Sequence, residues 1–147
     1  MHRIAFLLSF TAFALTGQSV TISGLAPSYI GQEIEIYEIE DYFSMKERLV
    51  TKTTVDTDSS FSVSLSSPYI QKIVLKAGNN SGFVYIQPDS KYHLFVPAMN
   101  KYDPYRQNGN KVEIGFLSLD STDINYKILG FQRWMDHFVG NNYYLRT

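Results

Sequence analysis

The sequence predicts an all-β protein, an antiparallel β-sandwich of seven or eight strands with one C-terminal amphipathic helix. Three observations lead there. Period-2 alternation of apolar and polar residues recurs along most of the chain after residue 18. Turn-forming clusters of Gly, Pro, Asn, Asp and Ser interrupt it at short intervals. The aromatic content is 15%, with 11 Tyr and 10 Phe, and broad rings pack well on a pleated surface.

The first element is different. "MHRIAFLLSFTAFALTG" has a basic start at His2 and Arg3, an apolar run from Ile4 to Leu15, and small residues at Thr16 and Gly17. This layout predicts a secretory signal peptide over residues 1–17, cleaved before Gln18. Its apolar run is too short for a span of about 20 residues, so no membrane span is expected after cleavage. The expected location is exported, periplasmic or cell-surface. The chain has no cysteine, which excludes disulfides, thiol catalysis, Cys-based metal centres and a Cys-linked lipid. A domain of about 130 residues without disulfides must rest on its apolar core, which 44% hydrophobic residues can supply.

The β-sandwich is expected over residues 18–120. Val20/Ile22, Ile34/Ile36 and Phe61/Val63/Leu65 alternate with largely polar neighbours, Ile73/Leu75/Ala77 alternate with Lys72 and Lys76, and Tyr92/Leu94/Val96 and Val112/Ile114/Phe116 follow at the same spacing. Phe83 to Ile86 is apolar on both faces and suits a central strand. The segment 47–55 reads as a strand whose start, Lys46 to Arg48, could also open a helical turn. "TTVDTDSSFSVSL" (53–65) reads as a hairpin with an acidic turn. Two more hairpins are expected, one turning at Gly78 to Gly82 and one at Pro88-Asp89, where Pro presets the first central turn position. Residues 38–48 and 97–110 are expected to be longer loops.

From Asp120 the period changes. Ile124, Ile128, Phe131, Met135 and Phe138 recur at steps of four, three, four and three, a helical stripe. Asp120, Ser121 and Thr122 are natural N-cap residues, Asp123 adds negative charge to the first turn, and Gly140-Asn141-Asn142 is expected to end the helix. The stripe needs a covering surface. Residues 121–147 are therefore expected either to begin a following helical domain or to lay their helix across an open sandwich edge.

Chemistry-bearing patterns are sparse. Asp56, Asp58 and Ser60 have the spacing that opens a calcium loop, but Phe61 and Ser67 stand where that loop needs Gly and Glu. Two histidines outside the leader, His93 and His137, lack carboxylates at ligand spacing. No nucleophile elbow is present, and "GNNSG" precedes no helix, so it is not a phosphate cradle. Asn79-Asn80-Ser81 matches an N-glycosylation acceptor. The formal charge of −1, with no basic cluster, speaks against nucleic acid. No catalytic, metal or cofactor residue is expected. The remaining lead is aromatic. Tyr42, Phe43, Tyr102 and Tyr105 lie in the two longer segments, where rings can stack on a glycan, anchor a protein partner, or cover the sandwich ends.

Three stretches carry a family resemblance: an "ISG" strand leading to "GQEIEIY", the turn "VDTDSSFSV", and "YIQPDSKYHL". Together they resemble the N-terminal β-sandwich domains of exported Bacteroidetes-type proteins, which are similar to transthyretin-like, carboxypeptidase regulatory-like modules. Ser59 and Asp89 replace the glycines usual in the two turns. The resemblance covers residues 19 to about 120. It implies a non-catalytic accessory or protein-interaction module in the cell envelope, with a partner protein or a following domain; glycan binding is the alternative.

Overall fold

The computed structural model describes residues 18–98 and 110–143. Besides a single 3-10 turn at Pro27–Tyr29, nine strands and one α-helix follow in order among these residues. They are β1 (Ser19–Leu25), β2 (Glu33–Asp41), β3 (Lys46–Thr54), β4 (Ser60–Ser66), β5 (Gln71–Ala77), β6 (Asn80–Ile86), β7 (Lys91–Phe95), β8 (Asn110–Lys111), β9 (Gly115–Ser118) and α1 (Ile124–Tyr143). Eight strands have four residues or more, and β8 is a two-residue bridge.

The strands form two sheets, ordered β4-β1-β7-β9 and β3-β2-β5-β6-β8. Their inner faces enclose one core that includes Val20, Ile22, Ile34, Ile36, Phe61 and Leu94, all at most 2% exposed. The predicted β-sandwich is therefore present. Two pairs depart from the antiparallel rule: β1 runs parallel to β7, and β6 to β8.

Gly24 shows why the first strand carries a glycine. A Cβ there would overlap the Leu94 carbonyl oxygen and the Phe61 ring. The missing side chain lets Phe61 cross β1 in the core.

Alternation identified the strands but not all their neighbours. The turn after residue 53 is not a hairpin, because β3 pairs only with β2 and β4 only with β1. Residues 55–59 instead form a corner that carries the chain from one sheet to the other. The corner is closed by Ser59 N–H on the Asp56 carbonyl (3.0 Å) and Asp56 N–H on the Ser60 carbonyl (2.8 Å). Pro88-Asp89 is also a corner rather than a hairpin, joining β6 in one sheet to β7 in the other. Period-2 patterning sets which face is buried, and both sides of an inter-sheet corner satisfy it equally.

Three boundaries also shift. The β5–β6 hairpin is tighter than expected, with Ala77 opposite Asn80 and only Gly78 and Asn79 between. The segment 46–54 is strand throughout, and residues 38–48 form a hairpin with a four-residue turn rather than a long loop. Its acidic half pairs with its basic half, Glu38 with Arg48 (2.5 Å) and Glu40 with Lys46 (2.6 Å), and further along the same strand pair Glu33 meets Lys52 (2.7 Å). Such exposed pairs add little stability, but the charges make the open β3 edge a poor template for another strand. Finally, α1 passes through Gly140–Asn142 and reaches Tyr143.

Candidate interaction surface

The root of α1 is built from side chains that replace backbone partners. Asp120 accepts from Thr122 N–H (2.7 Å) and Thr122 Oγ1 (2.6 Å), tightening the approach turn. These bonds, the Thr122 hydroxyl first, hold the Asp120 carboxyl below the usual range. Asp123 is the cap itself. Its carboxylate accepts from Asn125 N–H at 2.7 Å, and its carbonyl accepts from Lys127 N–H, as an N-cap residue does.

Three contacts fasten this cap to the sandwich. Asn125 accepts from Tyr85 N–H (2.9 Å) and donates to the Tyr85 carbonyl (2.7 Å). Gln87 accepts from Ile124 N–H through its side-chain oxygen at 2.7 Å. The Tyr92 hydroxyl donates to Asp123 (3.1 Å) and accepts from Gln87 N–H (2.9 Å). Asp123 and Asn125 are buried. Burial is the main cause that pushes the Tyr92 phenol up to about 12, and the Asp123 carboxylate adds to it.

Beside this joint lies an open depression of about 220 Å³, lined by Ser90, Lys91, Tyr92, Ser118 and Asp120 among others. The inward polar groups of Tyr92 and Asp123 are already spent on each other and on main-chain groups. The depression is a by-product of the joint.

Beyond the root the helix leaves the domain. Ile124 and Ile128 are half-buried, and every residue from 130 to 139 is exposed. Phe131 is 60% and Trp134 56% exposed. The rings stack along the helix, Phe131 on Trp134 at 5.9 Å and Trp134 on Phe138 at 5.4 Å between centroids. The stripe thus begins against the sandwich and emerges as an aromatic face. It is neither laid across the sandwich edge nor covered by another described element.

A second apolar surface lies on the outer face of the five-stranded sheet. Leu49 faces Tyr37, Tyr37 faces Val74, and Val74 faces Phe83 across successive strands. Val74 is 9% exposed yet outside the core cluster, so its neighbours on that outer face cover it. Lys72 lies over the Phe83 ring at 3.8 Å and Lys76 over Tyr37 at 4.3 Å, contacts of the cation–π type.

The four aromatic candidates from the sequence separate. Tyr42 and Phe43 occupy the β2–β3 turn, 60% and 99% exposed, while Tyr102 and Tyr105 lie outside the described residues. Asp56 and Asp58 stand on the corner between sheets, where Asp58 accepts from Ser60 N–H (2.9 Å), the main cause that lowers its pKa. His93 is exposed, 3.1 Å from the Ser23 hydroxyl. Among the described residues no three His, Cys, Asp or Glu side chains group as a metal site, and no helix is long and apolar enough to cross a membrane. Asn79 is exposed at the tip of the β5–β6 turn.

The Asn125–Tyr85 joint and the outer-face row were missed in the sequence. The row was readable in principle from Tyr37, Val74 and Phe83, each at a position that alternation assigns to solvent. No family model matches the chain, and no curated protein matches it.

Proposed function

We propose that this chain is an exported, non-catalytic β-sandwich module whose role is protein interaction in the cell envelope, with the aromatic face of α1 as its contact. One observation carries the reading: Phe131 and Trp134 stand exposed and stacked on a helix whose root is fastened by buried hydrogen bonds. Contiguous exposed aromatics of this kind mark interaction sites, and a fixed root lowers the ordering cost of binding. The layout of residues 1–17 supports export. The accessory role is supported by the resemblance to carboxypeptidase regulatory-like modules. Ser59 and Asp89, where those modules carry glycine, have positive φ angles of 73° and 56°.

The test is a photo-crosslinking amino acid at position 134, introduced into the chain expressed in its host. The expected result is an N-terminus at Gln18, recovery in the envelope fraction, and a discrete crosslinked protein. Cytoplasmic recovery with an intact leader sinks the export part; absence of any crosslinked protein sinks the interaction part.

A glycan-binding reading draws support from Phe43, the most exposed large ring among the described residues, beside Tyr42. It predicts glycan-array binding that Phe43→Ala abolishes; binding that survives this change excludes the site.

A further inference from the structure

The β2–β3 hairpin leaves the body of its sheet. β2 pairs with β5 only over residues 34–38, whereas its pairing with β3 runs on to Asp41 opposite Lys46. Residues 39–47 therefore stand out as a two-stranded ribbon, three residues or roughly 10 Å beyond the last pairing with β5. We propose that the tip of this ribbon inserts into the interface of a lipid bilayer, with Phe43 at its apex. This contact is separate from the aromatic face of α1.

The tip is apolar, and its polar groups are spent on the turn. Three of the four turn residues are large and exposed: Tyr42, Phe43 and Met45. The Asp41 carboxylate accepts from Phe43 N–H (2.9 Å), Ser44 N–H (3.3 Å) and the Ser44 hydroxyl (2.5 Å). Met45 closes the turn at a φ of 55°, a left-handed conformation that a residue with a Cβ normally avoids. Strained backbone that holds apolar side chains out in water points to a function for them.

The spent polar groups select lipid as the occupant. A pocketed ligand or partner is oriented by placed donors and acceptors, and the polar side chains nearest the apex, Asp41 and Ser44, are bonded to each other and to the turn. Phe43 is 99% exposed and stacks on no second ring. A bilayer interface asks for apolar side chains to bury and main-chain donors already satisfied. The stem fits as well, since Glu40 pairs with Lys46 and Glu38 with Arg48, below the tip at headgroup depth. Glu38, Glu40, Asp41 and Glu47 outnumber Lys46 and Arg48, so apolar burial drives the contact and attraction to anionic headgroups does not.

The experiment is co-sedimentation of the mature chain with phosphatidylcholine vesicles, with circular dichroism confirming that each variant is folded. The wild type is expected to bind, with an affinity that changes less than about twofold between low and high salt and is not raised by added phosphatidylglycerol. Phe43→Ser should weaken binding at least about tenfold, as loss of one buried aromatic does. Phe43→Trp in a Trp134→Phe background should shift its emission to the blue on vesicle addition and be quenched by lipids brominated on the acyl chain. No vesicle binding, or emission that stays that of a ring in water, overturns the proposal. Binding lost with Trp134→Ser but kept with Phe43→Ser also overturns it, because α1 would then be the lipid contact. A photo-crosslinking residue at position 43 that captures a protein and no lipid in the host overturns it too, and the crosslink at position 134 decides the α1 reading separately.

Discussion

Asn125 meets Tyr85 as a neighbouring strand would, its side-chain amide accepting from the Tyr85 N–H at 2.9 Å and donating to the Tyr85 carbonyl at 2.7 Å. A single side chain therefore extends the sheet at the edge of β6 and sets where the helix leaves the domain. Truncating it strands both main-chain groups, and each unsatisfied partner costs about 1–3 kcal/mol. Asn125→Ala is predicted to destabilise the domain by about 2–3 kcal/mol in urea unfolding. Amide exchange at Tyr85 should accelerate, while exchange in β1 follows only the global change.

Tyr92 links the same joint to pH. Its folded pKa is raised, so the neutral phenol is favoured by folding. The corresponding stability is fully present below the unfolded value near 10 and is lost as pH rises toward about 12. The melting temperature of the wild type should fall more steeply over that window than that of Tyr92→Phe. Equal slopes for the two proteins contradict the assignment.

Three of the described residues, Met45, Ser59 and Asp89, hold left-handed backbone without being glycine. For an L-residue that conformation costs about 1–2 kcal/mol, less for Asp, whose side chain tolerates it. Ser59→Gly should stabilise the protein by about 0.5–1 kcal/mol and Asp89→Gly by less, measured as denaturation midpoints. Ser59→Val should destabilise it.

Two glycines give opposite outcomes. Gly24→Ala forces a Cβ against the backbone of Leu94, which no rotamer change relieves, so a loss of about 3 kcal/mol is expected. Gly130 lies inside α1 with nothing within 4 Å of an added Cβ. Gly130→Ala should therefore raise helix stability by about 1 kcal/mol, visible as slower amide exchange across residues 127–134.

The strands were legible because one face of each is buried, and burial writes itself as alternation: Phe61, Val63 and Leu65 show it best. Sheet membership was not legible. The corner at Asp56–Ser60 and the turn at Pro88-Asp89 have hairpin chemistry, but strand partners are chosen by core packing between distant segments. The segment 38–48 was misread as a loop although its acidic half and basic half are complementary strands. The helical stripe of 124–138 was plain from its spacing. Its exposure was not, since spacing shows that a face is apolar and not whether anything covers it. Asn125, a polar residue in a helix's first turn, carries no sequence signal that it completes a sheet.

The central claim is that the joint at Asp123 and Asn125 holds the aromatic face of α1 clear of its own sandwich. Trp134 is the only tryptophan in the chain, so its fluorescence reports on that face alone. The direct measurement is acrylamide quenching of Trp134 at a dilution where sedimentation shows a monomer. The account predicts red-shifted emission that acrylamide quenches readily, though less than free indole because Phe131 and Phe138 stack on the ring. Blue-shifted, shielded emission from a verified monomer would contradict it, because the helix would then be folded onto its own domain.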